Sequence, residues 1–257
     1  MKTIVVTGAA QGLGLATAVL LAQRDYRVIL LDLNPVDAAV ERLRGDGLHV
    51  SGMTGDVSSE AFVQRVAQWV ADEFGATDGL VNNAGISLIA PAEQTSAAQW
   101  QRVMNVNLFA PFLLSRYFGA QMLAKGLGSI VNVASVAGLA GVSHRSAYNA
   151  SKHGLIGLTR TLAAEWGARG VRVNAVCPGW IKTEMDVADQ GSGAYSDVDI
   201  VNRVPMARFA RAEDVAQAIA FLIDGERSGF INGVSLPVDG GWIADASWDS
   251  LRLRTRN

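Results

Sequence analysis

The chain has 257 residues, 49% of them hydrophobic, enough to bury a core of one large α/β domain or two small ones. Its 22 basic and 24 acidic residues are interspersed and leave a net charge of −2, so no basic stripe invites nucleic acid. One cysteine, Cys177, excludes an intrachain disulfide, and the three histidines have no metal-ligand spacing.

Ile4–Val6 is a short apolar run that reads as a buried strand. It leaves no room for a signal peptide before it, and no apolar run reaches the ~18 residues of a membrane span. The expectation is a cytoplasmic protein without membrane or nucleic-acid partners. Thr7-Gly8-Ala9-Ala10-Gln11-Gly12-Leu13-Gly14 follows, and then a helical pattern carrying Leu15, Val19 and Leu20. A strand, a glycine-rich turn and a helix N-terminus together make an anion site suited to a pyrophosphate. The second strand, 27–31, closes on Asp32 and Leu33. A carboxylate about 20 residues after such a turn suits the ribose 2′-hydroxyl of NAD and repels the 2′-phosphate of NADP.

A helix at 35–45 and a strand near 48–53 lead to Asp56-Val57, then a helix over 59–74. The fourth strand opens at Leu80-Val81 and runs into Asn82-Asn83-Ala84-Gly85, residues that also suit a plain turn. The spacing predicts one long helix over 97–123, with Asn107 among apolar neighbours. A fifth strand, 129–134, ends at Ser135. Helix 146–168 follows, and it sets Tyr148 and Lys152 on one face, one turn apart. An ammonium beside a phenol favours phenolate. A tyrosine acting as a base near neutrality must lose ~3 pKa units, roughly 4 kcal/mol.

The sixth strand, 171–176, runs into Cys177-Pro178-Gly179; Cys177 reads as a small buried apolar residue. Segment 183–204 loses apolar periodicity, as a substrate lid at a strand's carboxyl end would. A helix at 213–223, a last strand at 233–238 and a tail at 242–257 complete the chain. The tail carries Trp242, Trp248, Arg252, Arg254 and Arg256. With neither repeat nor linker, one domain is expected. Alternating strands and helices predict a parallel sheet covered on both faces, with ligands at the carboxyl ends of its strands.

The motifs from Thr7–Gly14 through Asp56-Val57, Asn82–Gly85, Asn107, Ser135, Tyr148-x-x-x-Lys152 and Pro178-Gly179 match, in order and spacing, those of the short-chain dehydrogenase/reductases. The resemblance covers about 1–241. It implies a Rossmann-type, doubly wound parallel sheet of seven strands, ordered 3-2-1-4-5-6-7. It implies Tyr148 as general acid/base and Lys152 as the group that binds nicotinamide ribose and lowers the tyrosine pKa. Ser135 would bond the substrate oxygen, and Asn107 would hold a water in a proton relay. The cofactor would meet Gly8, Gln11, Gly12, Leu13, Gly14, Asp32, Leu33, Asp56, Val57, Asn83, Ala84, Gly85, Pro178, Gly179, Ile181 and Thr183. The substrate pocket, placed by the same resemblance, would hold Ala137, Val142, His144, Trp180, Met185 and the segment 184–204.

This reads as an NAD-dependent oxidation of a small secondary alcohol, such as a polyol or sugar. A 3-ketoacyl reductase acting on carrier- or CoA-bound thioesters, and a non-catalytic dinucleotide-binding subunit, are the alternatives. The resemblance also implies a homotetramer or homodimer, built on the 97–123 and 146–168 helices and on the last helix and strand. The tail is expected to cross a neighbouring subunit, its tryptophans closing that neighbour's site.

Overall fold

The computed structural model describes residues 1–191, 193 and 195–254. Ser192 and Ala194 of the expected lid, and residues 255–257 of the expected tail with Arg256, lie outside the described residues. The strands are β1 (Thr3–Thr7), β2 (Arg27–Asp32), β3 (Val50–Thr54), β4 (Gly79–Asn82), β5 (Gly128–Val133), β6 (Val171–Pro178) and β7 (Ser235–Val238). The helices before β6 are α1 (Gly12–Ala22), α2 (Asp37–Gly45), α3 (Glu60–Phe74), α4 (Ala97–Met104), α5 (Ala110–Lys125) and α6 (Ser146–Trp166). After it come α7 (Glu184–Gln190), α8 (Asp197–Arg203), α9 (Ala212–Ile223), α10 (Gly225–Ser228) and α11 (Asp249–Arg254).

All seven strands pair in parallel in the order β3-β2-β1-β4-β5-β6-β7, the order the resemblance implies. Strands buried on both faces need no polar alternation, which is why they read as continuous apolar runs. Their side chains still alternate. Ile4, Val6 and Leu30 face a core shared with α1 and α9, where Leu21 and Ile219 are fully buried. Val5, Ile29 and Leu31 face the opposite core, with Leu80, Val63 and Phe118. β1 pairs with β2 on one side and β4 on the other, so the direction in which strands are added to the sheet reverses there. A crevice opens at that switch point, outside the carboxyl ends of the strands.

Three segments differ from the sequence reading. The helix expected over 97–123 is interrupted by a π-helical turn at Asn105–Phe109. Asparagine and valine are weak helix formers, and Pro111 has no N–H to give the carbonyl of Asn107. The segment 183–204 contains two short helices, α7 and α8, where irregular chain is expected. Its polar residues serve as caps: the Ser196 hydroxyl and backbone N–H both donate to Asp199 at the start of α8. The tail carries α11. Among the described residues no helix is long and apolar enough to cross a membrane.

Candidate active site

The crevice encloses about 790 Å³ and runs from the glycine turn to the segment that carries α7. Its floor joins two strand ends that are 75 residues apart. The Thr7 hydroxyl accepts hydrogen bonds from the backbone N–H groups of Asn83 and Ala84, both at 3.0 Å. The Asn83 amide donates to the carbonyls of Thr7 (2.9 Å) and Gly8 (3.1 Å). Asn82–Gly85 is therefore more than a turn: it is bonded to the glycine loop. Gly8 has φ +63°, and a Cβ there would lie 2.9 Å from the Ala84 Cα. A Cβ on Gly14 would lie 1.9 Å from the Gly8 carbonyl oxygen, so α1 touches the loop without a side chain between.

Gln11, at the N-cap of α1, makes no side-chain cap, and the first turn holds no acid. The helix thus presents uncapped N–H groups at the crevice, which suits an anion. Asp32 is 8% exposed. Its two carboxylate oxygens accept from the N–H of Ala10 and of Asn34, each at 2.9 Å. It therefore also braces the glycine turn, a structural duty beside any contact with a ribose. Leu33 beside it is exposed, and the Asp56 carboxylate accepts from the Ser58 N–H and hydroxyl. These features fit a dinucleotide: a cradle that side chains would fill, free helix donors, and an acid at the second strand's end.

At the other end α6 brings Tyr148 and Lys152 against β5. Lys152 is buried; its Nζ donates to the Val133 carbonyl at 2.8 Å and stands 5.6 Å from the Tyr148 ring centroid. Burial lowers the Lys152 pKa from 10.5 to about 8. Burial is also the largest influence on Tyr148 and pushes the phenol above its ordinary value. The Ser135 hydroxyl and the Arg145 guanidinium draw it down, and the Asp189 carboxylate raises it. Without cofactor, desolvation is the larger influence on the phenol, and charge the smaller. Ser135 sits at the end of β5, where its hydroxyl accepts from the Ala137 N–H at 3.1 Å.

Asn107 is fully buried on the π turn. Its Oδ1 accepts from the Ile86 N–H (2.9 Å), and its Nδ2 donates to the Ile86 carbonyl (2.9 Å) and to the Ser151 hydroxyl (3.2 Å). That hydroxyl donates in turn to the Tyr148 carbonyl at 2.7 Å. The Asn107 side chain thus ties the segment after Gly85 to α6, and both ends of its amide are engaged.

Most residues singled out in the sequence do meet here. Gly8, Gln11, Gly12, Leu13, Asp32, Leu33, Asp56, Val57, Asn83, Ala84, Gly85, Pro178, Gly179, Ile181 and Thr183 line the crevice, with Ser135, Ala137, Val142, Tyr148, Lys152, Trp180 and Met185. Gly14 and Asn107 lie behind it. His144, expected to face the substrate, is exposed with φ +60° and does not line the crevice. Its carbonyl accepts from the Ala90 N–H, and this bridge turns the chain so that Arg145 points inward instead. Trp242 packs on Trp180 of its own chain (centroids 5.3 Å apart) and so backs this site.

Sequence reasoning missed Arg145; Asp186, Asp189 and Tyr195, which also line the crevice, lie in the 184–204 segment expected at the pocket but were not singled out there. Arg145 Nη2 pairs with Asp189 Oδ2 at 2.9 Å, and its Nη1 donates to the Ser87 hydroxyl at 2.8 Å. Ser87 donates to Asp189 at 3.0 Å, and the Tyr195 hydroxyl donates to Asp186 at 3.0 Å. The acidic and aromatic content of 183–204 was the available signal; the arginine, one residue before α6, gave none.

A sequence-family profile described as Enoyl-(Acyl carrier protein) reductase matches residues 8–243. The chain is 41% identical to a D-threitol dehydrogenase of Mycolicibacterium smegmatis over 94% of this chain and 92% of that one. It is 40% identical to a cis-4-hydroxycyclohexanecarboxylate dehydrogenase of Sinomonas cyclohexanicum, over 95% and 97%. A crystal structure of a putative NAD(P) dependent gluconate 5-dehydrogenase from Beutenbergia cavernae, with bound NADP, superposes with TM-score 0.90 at 38% identity, covering 95% of this chain and 97% of that one. The sheet order, the crevice at its switch point and these matches place the chain in the short-chain dehydrogenase/reductase family of oxidoreductases.

Proposed function

We propose that the protein is an NAD-dependent dehydrogenase of small secondary alcohols, of which a polyol or sugar-like compound is the natural type. The observation that carries this is the meeting of Ser135, Tyr148 and Lys152 beside Gly85, at the end of a crevice that begins on the glycine turn. The nicotinamide dinucleotide, when bound, supplies the hydride acceptor. Asp32 would hold its adenosine ribose, Asp56 and Val57 its adenine, the α1 N-terminus its pyrophosphate, and Lys152 and Thr183 its nicotinamide half. Ser135 Oγ donates to the alcohol oxygen and orients it. Tyr148 Oη removes the hydroxyl proton. Tyr148 does this as the phenolate, which the Lys152 ammonium stabilises; the step leaves a neutral phenol, and the Asn107 backbone carbonyl, to which Pro111 can give no N–H, holds the water that relays the proton outward.

NAD is favoured because the Asp32 carboxylate would face a 2′-phosphate while its neighbours Gln11, Leu33 and Asn34 provide no cation. The NADP of the gluconate 5-dehydrogenase-like structure makes this the choice to measure first. The assembly is a homotetramer; the stacked, half-exposed Phe109 and Phe112 (centroids 6.3 Å apart) offer it an apolar face, and sedimentation reads it directly.

The test is oxidation of a panel of polyols and secondary alcohols with NAD and with NADP, alongside acetoacetyl thioesters with NADPH. Tyr148→Phe should retain cofactor binding and lose kcat by ~10²–10⁴-fold. Near-normal turnover in that variant sinks the mechanism. Thioester reduction as the best activity favours the ketoacyl reading, and cofactor binding without any hydride transfer favours a sensing subunit.

A further inference from the structure

The substrate end of the crevice is guarded by an ion pair that the reaction does not use. Arg145 and Asp189 come from the start of α6 and from α7, and their side chains are only 12% and 14% exposed. Ser87 bonds to both, so three separate segments converge on one charge-neutral unit. The Arg145 guanidinium lies 5.9 Å from the Tyr148 ring centroid, next to where the alcohol oxygen must sit. The other charges nearby are committed or distant from that point. Lys152 is bonded to Val133, Asp186 is bridged to Lys182, and Arg102 stands at the exposed mouth.

Arginine is the side chain best fitted to seize a carboxylate, through its planar fork of N–H donors. Here that fork is already engaged within the protein, Nη2 by the Asp189 carboxylate and Nη1 by the Ser87 hydroxyl. A second carboxylate arriving with the substrate would meet equal and opposite charges in a poorly hydrated corner. It would lose its water without a net attraction in return. A hydroxyl carries no such penalty, because it can accept from the guanidinium and donate to the carboxylate.

We infer that the Arg145–Asp189–Ser87 unit is the specificity element of the site, selecting uncharged polyhydroxy alcohols and rejecting carboxylated ones by filling the arginine with Asp189. This rests on the dehydrogenase reading and adds to it which alcohols are taken. Two of the three relatives described above bear names with a carboxylated alcohol and one the name of a neutral polyol, so the class is not settled by kinship.

The test compares kcat/KM for threitol, as the neutral polyol, with kcat/KM for gluconate and cis-4-hydroxycyclohexanecarboxylate, each with saturating cofactor. Wild type should favour the neutral compound. Asp189→Asn keeps the shape of the side chain and leaves the guanidinium charge uncompensated. It should raise the carboxylated-to-neutral ratio by about tenfold or more, and Arg145→Gln in the same background should abolish that gain. The wild-type ratio needs no variant, so a variant that misfolds does not shelter the inference. A wild-type preference for the carboxylated compounds, or an unchanged ratio in a folded and active Asp189→Asn protein, overturns it while leaving the dehydrogenase reading intact. Oxidation of neither class with either cofactor removes both.

Discussion

Replacing Lys152 by methionine should stabilise the cofactor-free protein while abolishing turnover. The ammonium is buried, and its pKa falls from 10.5 to about 8. At 1.36 kcal/mol per unit, charging this lysine costs the folded state about 3 kcal/mol at neutral pH. Methionine matches the aliphatic stem and needs no hydration. It leaves the Val133 carbonyl without the Nζ donor, a loss of ~1 kcal/mol, so the net gain is ~2 kcal/mol. For a chain of this length that corresponds to a rise in Tm of ~4–8 °C.

The pH dependence fixes the cause. The folded pKa lies below the unfolded one, so the unfolded chain holds the proton more tightly between about pH 8 and 10.5. The wild-type penalty is complete below that window and disappears as pH rises through it. Thermal unfolding of both proteins at equal concentration, at neutral pH and at about pH 10, reads this directly. The gap should close at the higher pH. A variant that melts below wild type at neutral pH, or a gap equal at both, refutes the account of a strained buried charge.

Asn107→Ala leaves the Ile86 N–H and carbonyl without their partner, at ~1–3 kcal/mol each, and frees the segment after Gly85. Urea unfolding should show the loss, and steady-state kinetics a fall in kcat; unchanged stability would mean that the two bonds are dispensable. Gly14→Ala forces its Cβ against the Gly8 carbonyl, so calorimetry should find dinucleotide affinity weakened at least ~10-fold. Wild-type affinity in a folded variant would show that the loop yields freely. The Cys177 thiol is fully buried and pushed up to about 11, so a disulfide reagent at neutral pH should label the unfolded chain and spare the native one.

The legible parts of this molecule are those written in contiguous residues. Runs such as Ile4–Val6 and 27–31 are apolar because both faces of the sheet are covered, and the length between them admits a crossover helix. Tyr148 and Lys152 share a face because one turn separates them. What stayed hidden depends on partners distant in sequence. Arg145 meets Asp189 44 residues on, and nothing around either foretells the pair. Asp32 looks like a ligand group, yet its two backbone bonds make it equally a brace. The spacing of Lys152 shows its charge but not the depth at which α6 packs, which decides how that charge behaves.

The π turn between α4 and α5 has a consequence for how this helix tolerates change. Each residue of a helix turns the chain by about 100°, and the wider turn absorbs one residue's worth of rotation. Asn107 can therefore look inward at Ile86 while Phe109 and Phe112, a few positions later, look outward. Deleting one residue within 105–109 would restore an ordinary helix whose two halves keep their phase. The faces of α4 and α5 would persist while the widened turn that carries Asn107 to Ile86 closed, so the irregular turn adds an inward hook to the rod without rotating its two surfaces.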